Sequence, residues 1–428
     1  MTARRTRPQF DAPLLSVEIC AGAGGQASGL HEAGFDHEAL VEWDVHAVAT
    51  LKMNITSWPG WTKEKIDSLE PGDVTKFLES AECKEIIANG TRIDLLAGGV
   101  PCPPFSLAGK QLGPDDERDL FPAMLEIVEK LRPRALMIEN VRGILEPPSV
   151  FIAYRRKILE TLDDLGYDVP KIRSTDSDQK QDLAMRRVWR RMDAKDFGVP
   201  QLRPRAILVA IHRDVKTRHN FTWPTRDELG GGTLLETLNE SMLQRYGAFW
   251  DTRPVPNIDM TGQQAYERWV GKLGKAKERG VTVAPTLVGG SRKHGGADLG
   301  PTRAKRAWSL LGVDAKGVAN EMVKCDPERD LFREDGPMLT VQQAALVQGF
   351  RNWTFSGGKT AQYRQVGNAF PPPVAEAVGR SIAAVLRPEQ RTDLLQGYSF
   401  EGSAVSGTEG VRASGSLFAE ADEESPRA

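Results

Sequence analysis

The sequence predicts an α/β protein whose doubly wound, mostly parallel sheet is interrupted by a smaller inserted domain. Up to residue 212, short apolar segments alternate with segments of helical spacing. Between residues 213 and 336 that rhythm stops, and the segment is rich in Gly, Pro, Arg and Trp. Because strands that alternate with helices form parallel sheets, we expect one domain at 1–212, an insert at 213–336 and a return segment at 337–390 that completes the first domain.

Each element follows from a local pattern. Apolar runs predict strands at 14–19, 39–43, 93–97, 135–138 and 206–211. Apolar residues at helical spacing predict helices at 26–34, 121–131 and 155–165, then at 233–245 and 263–277 in the insert, and at 341–349 and 374–386 in the return segment. The stretch 391–428, dominated by Ser, Gly and acidic residues from Gly402 onward, has little to bury. We expect it to be a disordered tail.

Composition and charge exclude several classes of protein. The net charge of the 428 residues is −2, so a nucleic-acid partner would need a local basic surface. The cysteines (Cys20, Cys83, Cys102 and Cys325) form no C-x-x-C pair and stand beside no His cluster, so we expect no metal. Dispersed cysteines suit a reducing compartment. Because no window reaches the roughly 18 apolar residues of a membrane helix, we expect a cytoplasmic protein with no membrane partner.

A glycine-rich turn, EICAGAGG at 18–25, follows the first predicted strand and opens a helix. That arrangement lets a ligand approach the backbone and the positive end of the helix. Glu42 ends the next predicted strand, 17 residues after Gly25, where an acid can bind ribose hydroxyls. The glycine spacing is not G-x-G-x-x-G, so an adenosine-type ligand without a pyrophosphate fits as well as a dinucleotide. The alternative is an ordinary tight turn of an α/β protein.

Two reactive side chains stand just past predicted strands. Cys102 follows the strand at 93–97, and Glu139 follows the strand at 135–138. In open α/β sheets the carboxyl ends of the strands line the ligand crevice, so both side chains are expected to face one substrate. Cys102 is then a candidate nucleophile. The alternatives are a buried structural cysteine and a surface or helix-capping glutamate.

A third motif, VPQLRPRAILV at 199–209, alternates Gln201, Arg203 and Arg205 ahead of a predicted strand. Side chains two residues apart share one face of a strand. Two arginines on one face could hold a phosphate or a base carbonyl. The alternative is a solvated strand edge.

The order of the motifs is more specific than any one of them. They are EICAGAGG (18–25), VEWD (41–44), GDVT (72–75), GGVPCPPFSLAGKQ (98–111), DERDLF (116–121), IENVRG (138–143), FGVPQLRPRAILVAI (197–211) and QVGNAFPPPVAEAVG (365–379). This series closely resembles the cytosine-5 DNA methyltransferases over about 16–211 and 337–386. The resemblance implies a Rossmann-like, S-adenosylmethionine-dependent methyltransferase fold whose insert is the target-recognition domain.

The resemblance also implies catalytic roles. Cys102 is the nucleophile that adds to carbon 6 of a flipped-out cytosine, and Glu139 contacts ring nitrogen 3 and the exocyclic amine. Arg205, together with Arg203, contacts the base carbonyl or supports the site. Carbon 5 then receives the methyl group of S-adenosylmethionine. One departure lies beside the nucleophile, where Pro103 replaces the usual Gln.

For the cofactor, the resemblance places Glu42 on the ribose, Trp43 near the adenine and Asp73 on the adenine amine. The full set of implied cofactor residues is Cys20, Ala21, Gly22, Ala23, Gly24, Gly25, Glu42, Trp43, Asp73, Val74, Gly99, Pro101, Leu120, Asn368 and Ala369. Cys20 stands where the family usually has an aromatic residue.

DNA contacts are expected from two stretches. The loop at 106–118 is a candidate lid, with Ser106, Lys110 and Gln111 contacting DNA. The second stretch, TLVGGSRKHGGADLGPTRAKRAW at 286–308, contains one acidic residue, Asp298, and five cationic residues: Arg292, Lys293, Arg303, Lys305 and Arg306. The alternative for this stretch is a solvated basic loop. A further basic run, MRRVWRR at 185–191, is either a contact to the DNA backbone or a strand edge.

The expected substrate is therefore double-stranded DNA, methylated by a monomeric enzyme of bacterial or phage type. A cognate restriction endonuclease acting on the same site is a candidate partner. Alternative functions are an RNA cytosine-5 methyltransferase and a catalytically silent DNA-binding relative. The sizeable insert favours a reader of DNA sequence, and the intact Cys102, Glu139 and Arg205 argue against a silent relative.

Overall fold

The structure, a computed structural model, describes residues 5–101, 119–215, 219–289 and 297–401. Its strands are β1 (Leu14–Ile19), β2 (Phe35–Val41), β3 (Leu95–Gly99), β4 (Ala135–Val141), β5 (Trp189–Asp193), β6 (Pro204–Ile211), β7 (Pro224–Asp227) and β8 (Tyr398–Phe400). Six of them form one sheet in the order β2-β1-β3-β4-β6-β5. The pairs among β1 to β4 are parallel, whereas β6 runs antiparallel to both β4 and β5. The sheet is thus α/β and mixed, with its parallel half carrying the glycine-rich turn.

Helices lie at all seven predicted positions, most with shifted ends, and eight helices that were not predicted occur among the described residues. They are α1 (Gly25–Glu32), α2 (Val45–Asn54), α3 (Lys63–Ser68), α4 (Ala81–Ala88), α5 (Phe121–Leu131), α6 (Pro148–Asp164), α7 (Asp178–Met185), α8 (Leu234–Gly247), α9 (Gly262–Glu278), α10 (Thr302–Leu310), α11 (Pro327–Asp330), α12 (Val341–Gln348), α13 (Lys359–Asn368), α14 (Pro372–Leu386) and α15 (Arg391–Leu395). Two elements, β1 and α5, begin and end at the predicted residues. No helix in the described ranges is both long and apolar enough to cross a membrane.

Helices cover both faces of the sheet. Val17 and Ile19 of β1 point into a core that includes Met124 and Ile127 of α5. Leu14 of the same strand belongs to the opposite core, which the return helix α14 completes. Alternating side chains of a strand reach opposite faces, so β1 is buried on both sides. The two polar residues of its sequence LLSVEI, Ser16 and Glu18, are therefore buried as well.

The glycines of α1 allow α14 to approach closely. A Cβ atom at Gly25 or at Gly29 would lie 2.3 or 2.2 Å from the carbonyl oxygens of Phe370 and Pro372, respectively. No side chain fits at that distance. The return segment therefore packs directly against the helix that opens at the glycine-rich turn.

The insert contains helices α8 to α11 and shares its apolar core with the first domain. Leu238 of α8 and Trp269 of α9 lie in one buried cluster with Ala21 of the glycine-rich turn and Leu51 of α2. The helices α8 and α9 both begin with capping boxes, the first formed by Thr233 and Glu236. Each box satisfies free N–H groups of the first helical turn.

The predicted tail corresponds only in part to the structure. Residues 391–401 are ordered: α15 begins at Arg391, and β8 pairs antiparallel with β7. The prediction of a disordered tail from residue 391 was therefore wrong for these residues. A clamp holds them, because Arg5 binds the Asp227 carboxylate through two hydrogen bonds of 2.8 and 2.9 Å and also donates to the Gly397 carbonyl. The rest of the predicted tail, 402–428, lies outside the described residues.

Candidate active site and cofactor-binding turn

The glycine-rich turn between β1 and α1 is open on one side and packed on the other. Its backbone is left-handed at Cys20, Gly22 and Gly24, with φ of 50°, 55° and 86°. A Cβ atom at Gly22 would meet nothing within 4 Å, whereas one at Gly24 would lie 2.8 Å from both Leu51 and Trp353. The open side at Gly22 therefore leaves room for a ligand against the backbone.

The Glu42 carboxylate ties this turn to the end of β2. Its Oε2 accepts the Gly22 N–H at 2.7 Å, and its Oε1 accepts those of Trp43 and Asp44 at 3.0 and 2.8 Å. Burial raises the pKa of Glu42, and these three backbone hydrogen bonds oppose the rise. The side chain is thus fixed beside the turn, and Trp43 next to it is 80% exposed.

Two further predicted cofactor residues lie near the same turn. Burial, together with the negative charges of Glu42, Asp73 and Glu18, raises the pKa of the Cys20 thiol to about 12. A thiol with such a pKa is protonated at neutral pH. Asp73 accepts the Thr75 N–H at 2.9 Å, and this hydrogen bond lowers its pKa. Asp73 is exposed and lies near Cys20. Because its pKa is lowered, its carboxyl group is ionised at neutral pH.

Gly99 connects the turn to the predicted catalytic acid. A Cβ atom at Gly99, the last residue of β3, would lie 3.2 Å from Oε2 of Glu139 and 3.8 Å from the Cys20 carbonyl. The neighbouring strand ends therefore converge there, as expected for the crevice of an α/β sheet. Nearby, the Leu120 N–H donates to the Pro101 carbonyl at 3.3 Å. Val74, the remaining predicted residue on this side, is buried.

Glu139 lies inside a strand rather than just after one, which corrects the prediction. Strand β4 continues to Val141 because it pairs with β6 as far as Arg205. Nε of Arg205 lies 2.8 Å from Oε1 of Glu139, and both side chains are about one-seventh exposed (14% and 13%). Burial raises the pKa of Glu139, while the positive charges of Arg205 and Arg203 oppose this rise. The carboxyl group is therefore easier to protonate than a free glutamate.

Arg203 occupies a different environment from Arg205. It is 1% exposed, and its guanidinium donates to the carbonyls of Leu287, Gly367 and Ala369 at 2.6, 2.7 and 2.9 Å. These carbonyls belong to the insert and to the return segment. Arg203 therefore joins three parts of the chain behind the site.

The return segment places Asn368 and Ala369 between the insert and the turn. A Cβ atom at Gly289 would collide with the Asn368 side chain. A Cβ atom at Gly25 would lie 3.1 Å from the Cβ of Ala369. These two predicted cofactor residues thus reach the α1 side of the turn and also touch the insert.

Several predicted residues lie outside the described ranges. They are Cys102, Ser106, Lys110, Gln111, Arg292 and Lys293. Pro101, next to Cys102, is described and follows β3 after Val100. Among the described residues no cluster of His, Cys, Asp or Glu could hold a metal ion, and Cys20, Cys83 and Cys325 are free thiols.

The basic stretches behave differently from one another. On α10, Arg303 and Arg306 are exposed, but Nζ of Lys305 lies 2.7 Å from Asp298 in an ion pair. In the run at 185–191, Arg187 pairs with Asp168 at 3.0 Å and Arg191 with Glu146 at 3.1 Å. Arg190 pairs with Glu401. Because β5 is the edge strand of the sheet, these pairs favour the strand-edge interpretation of that run.

Comparison with known proteins identifies this arrangement. A model of the family described as C-5 cytosine-specific DNA methylase matches residues 14–384. The chain belongs to this family. It is therefore a DNA methyltransferase that acts on carbon 5 of cytosine and uses S-adenosylmethionine as the methyl donor.

Curated relatives extend over most of this methyltransferase. It is 45% identical over 376 residues to the type II methyltransferase M.NaeI of Lentzea aerocolonigenes, covering 87% of this chain and 75% of the relative. It is 39% identical to the type II methyltransferase M.NgoMIV of Neisseria gonorrhoeae, covering 87% and 98% of the two chains. The fold is similar to that of a prophage-encoded candidate DNA modification methyltransferase from E. coli, with a TM-score of 0.52 and 21% identity over 87% of this chain and 99% of that one.

Three further residues near the site, Trp353, Gln201 and Gln348, were given no role from the sequence, although Gln201 belongs to the alternating motif at 199–209. Gln201 and Gln348 are both fully buried; the amide of Gln201 donates to Gln348 at 2.6 Å and accepts the Leu287 N–H at 2.9 Å. The Gln348 amide donates in turn to the Ala369 carbonyl. The alternation of Gln201 with the two arginines was the signal for one of them. No local pattern marks Gln348 or Trp353.

Proposed function

We propose that this methyltransferase is the modification enzyme of a type II restriction–modification system. The relatives M.NaeI and M.NgoMIV, both named type II methyltransferases, support this proposal. It would methylate a cytosine within one specific duplex sequence and so protect host DNA from an endonuclease that cuts the same sequence. It would act in the cytoplasm as a monomer, since one chain contains both the turn and the insert.

S-adenosylmethionine fits the open side of the glycine-rich turn. The space above Gly22 admits a ligand against the backbone, and the Glu42 carboxylate is fixed there for ribose hydroxyls. The exposed Trp43 ring offers a stacking surface for adenine. Asp73, ionised and exposed, can accept a hydrogen bond from the adenine amine. Val74, Leu120, Asn368 and Ala369 would complete the walls of the pocket.

The pair of Glu139 and Arg205 is the observation that carries the proposed chemistry. A thiolate at Cys102 adds to carbon 6 of cytosine, which makes carbon 5 nucleophilic. Glu139, whose pKa burial raises, gives a proton to ring nitrogen 3, so the π electrons displaced from the carbon 5–carbon 6 bond are held between carbon 4 and carbon 5. This proton returns to Glu139 when the product forms. When bound, S-adenosylmethionine supplies the methyl group. Loss of the carbon 5 proton and departure of the Cys102 thiolate then release 5-methylcytosine.

Arg205 and Arg203 would have different roles in the site. Arg205, partly exposed beside Glu139, can reach the carbonyl oxygen of the base and keep the acid oriented. Arg203 is occupied by three backbone carbonyls, so we assign it to support of the site rather than to base contact. The target base must leave the stack to meet both groups.

The insert would supply most of the sequence recognition. Arg303 and Arg306 are both exposed on α10. Arg292 and Lys293, which precede α10 in the sequence, are further candidates for DNA contact. Arginines can contact phosphates or read guanine edges. The loop at 106–118, with Ser106, Lys110 and Gln111, would close over the flipped base.

Methyl transfer to DNA tests the proposal. We expect the purified protein to transfer labelled methyl groups to duplex DNA, and bisulfite sequencing to show one methylated motif. Cys102→Ala should abolish transfer, while Cys83→Ala, a change at a buried cysteine of α4, should retain it. Methylation of tRNA without DNA would contradict the proposed substrate. Full activity of Cys102→Ala would contradict the covalent mechanism.

A further inference from the structure

The packed side of the glycine-rich turn rests on a tryptophan from the far end of the chain. Trp353, five residues after α12, is 8% exposed. Its indole N–H donates to the Ala23 carbonyl at 2.9 Å. A Cβ atom at Gly24 would lie 2.8 Å from its ring. One residue thus both covers the back of the turn and hydrogen-bonds to it.

The turn needs such support because its backbone is unfavourable. Cys20, a residue with a Cβ atom, has a φ of 50°, and left-handed conformations of such residues are strained. Three successive residues are tied from outside: Ala21 N–H to the Val41 carbonyl, Gly22 N–H to Glu42, and the Ala23 carbonyl to Trp353. The first two ties come from the end of β2. Trp353 supplies the third, from the opposite side.

The segment that carries Trp353 is itself fixed to α2. Asn54, the last residue of α2, donates to the Thr354 carbonyl at 2.8 Å and accepts the Thr354 N–H at 2.9 Å. Thr50 of the same helix accepts the Ser356 N–H at 2.8 Å. Helix α2 begins directly after Glu42, Trp43 and Asp44, so this segment contacts both the turn and the helix that follows the proposed ribose and adenine contacts.

We infer that Trp353 is a positioning residue for S-adenosylmethionine: it holds the backbone of residues 22–24 in the conformation that receives the cofactor, without touching the cofactor itself. This inference rests on the proposed placement of the cofactor at the turn. A turn that populates its competent conformation only part of the time binds more weakly by that fraction. Loss of the indole hydrogen bond therefore weakens cofactor binding and leaves DNA binding intact.

Calorimetric titration of the full chain with S-adenosylmethionine tests this. Trp353→Phe keeps a ring against Gly24 but removes the donor, so the Kd for S-adenosylmethionine should rise about 3- to 10-fold, the equivalent of one ordinary hydrogen bond. The KM for DNA and kcat at saturating cofactor should stay unchanged. Trp61→Phe is the matched control, since Trp61 is equally buried and its indole N–H has no partner among the described residues.

A second variant and one reference variant make the result decisive. Asn54→Ala, at a partly exposed position, should raise the same Kd by a smaller factor, and it decides the question on the same criterion if Trp353→Phe does not fold. Glu42→Gln tests the placement of the cofactor. If Glu42→Gln weakens binding while Trp353→Phe leaves the Kd unchanged, Trp353 has no positioning role and the proposed pocket stands. If Glu42→Gln has no effect, the proposed pocket itself is wrong. An equal rise in the KM for DNA in Trp353→Phe would show general destabilisation and overturn the inference.

Discussion

Arg205 and Glu139 face each other diagonally across an antiparallel strand pair. Arg205 is paired in register with Val141, two residues after Glu139, so both side chains leave the same face of β4 and β6 and meet at 2.8 Å. The contact balances two opposing influences on one carboxyl group: burial favours its neutral form, and the guanidinium favours its charged form.

Glu139→Gln should lower kcat by about 100- to 10,000-fold, the usual contribution of a positioned proton donor. The Kd for S-adenosylmethionine should not change, because the glycine-rich turn is intact. Glu146→Gln, which alters an exposed glutamate, should be silent. The measurement is single-turnover methyl transfer to a duplex with one target site. A loss confined to cofactor binding would show that Glu139 does not act on the base.

The pH dependence of the same step has a definite sign. Since the pKa of Glu139 is raised, its acid form persists to higher pH than that of a free glutamate and is lost as the pH rises through the raised pKa. We therefore expect a plot of kcat against pH to have an alkaline limb, on which kcat falls as Glu139 loses its proton. Arg205→Met removes an opposing positive charge, so the limb should move to higher pH. A shift to lower pH would contradict the assigned electrostatics.

Arg203→Met should destabilise the fold by about 3 kcal/mol, because it removes a donor from three buried carbonyls. Of these, the Ala369 carbonyl keeps the Gln348 amide as a second donor. Lysine should not rescue it, since a single ammonium cannot reproduce the planar fork. Arg205→Met, at a partly exposed position, should change the unfolding free energy far less. Urea denaturation of the variants compares them. Equal losses at both positions would remove the distinction drawn between the arginines.

His37 should make the protein less stable in mild acid. Burial lowers its pKa to about 4, and both ring nitrogens are occupied, Nδ1 with the Ser16 hydroxyl at 3.0 Å and Nε2 with the Ala27 carbonyl at 3.1 Å. Below its unfolded pKa near 6.5, the unfolded chain binds the proton that the folded chain rejects. Between pH 7 and pH 4.5 this costs about 2 kcal/mol.

The matching variant is His37→Asn, whose stability is already lower at pH 7. The difference in unfolding free energy between wild type and variant should shrink as the pH falls from 7 to 4.5. Urea titrations at several pH values measure it. A difference that stays constant over this range would mean that His37 titrates normally in the folded protein.

Two neighbouring cations of α10 should differ in their effect on DNA. Arg306 is exposed and has no ion pair with another described residue, whereas Lys305 is bound to Asp298. Arg306→Ala should weaken DNA binding and lower the slope of log K against log salt by about 1, as for one lost phosphate contact. Lys305→Ala should leave that slope unchanged. Fluorescence anisotropy over a salt series provides the measurement, and equal slopes for both variants would contradict it.

The sequence predicted elements well where local signals agree. Strand β1 is buried on both faces, and its sequence LLSVEI is apolar at four of its six positions. Helix α5 has apolar residues at 121, 124, 127 and 128, which form a single buried stripe. Strand β4 continues beyond its apolar run to Val141, because the partner strand β6 extends the ladder through polar residues. Pairing between distant strands decides such ends, and no local pattern encodes it.

Long-range partners also decided what the side chains do. Arg203 and Arg205 stand in the same motif, yet only Arg203 donates to backbone carbonyls of distant segments. These carbonyls belong to Leu287, Gly367 and Ala369. Trp353 is a single tryptophan in an irregular stretch, and its contact with Ala23 spans 330 residues of chain. The motif order thus predicted a set of residues for the proposed site. The division of labour among them depends on packing that the motifs do not describe.

If the insert reads the target sequence, as proposed, the core that it shares with the first domain constrains how this methyltransferase can acquire a new target sequence. Leu238 and Trp269 of the insert pack in the same cluster as Ala21 and Leu51, which surround the glycine-rich turn. Grafting a foreign insert would therefore also change the packing behind the proposed cofactor pocket. Single substitutions that change specificity should destabilise the fold less when they are confined to exposed positions, such as Arg303 and Arg306. Buried residues of the insert, such as Leu238 and Trp269, can therefore be exchanged only together with the residues of the first domain that they contact.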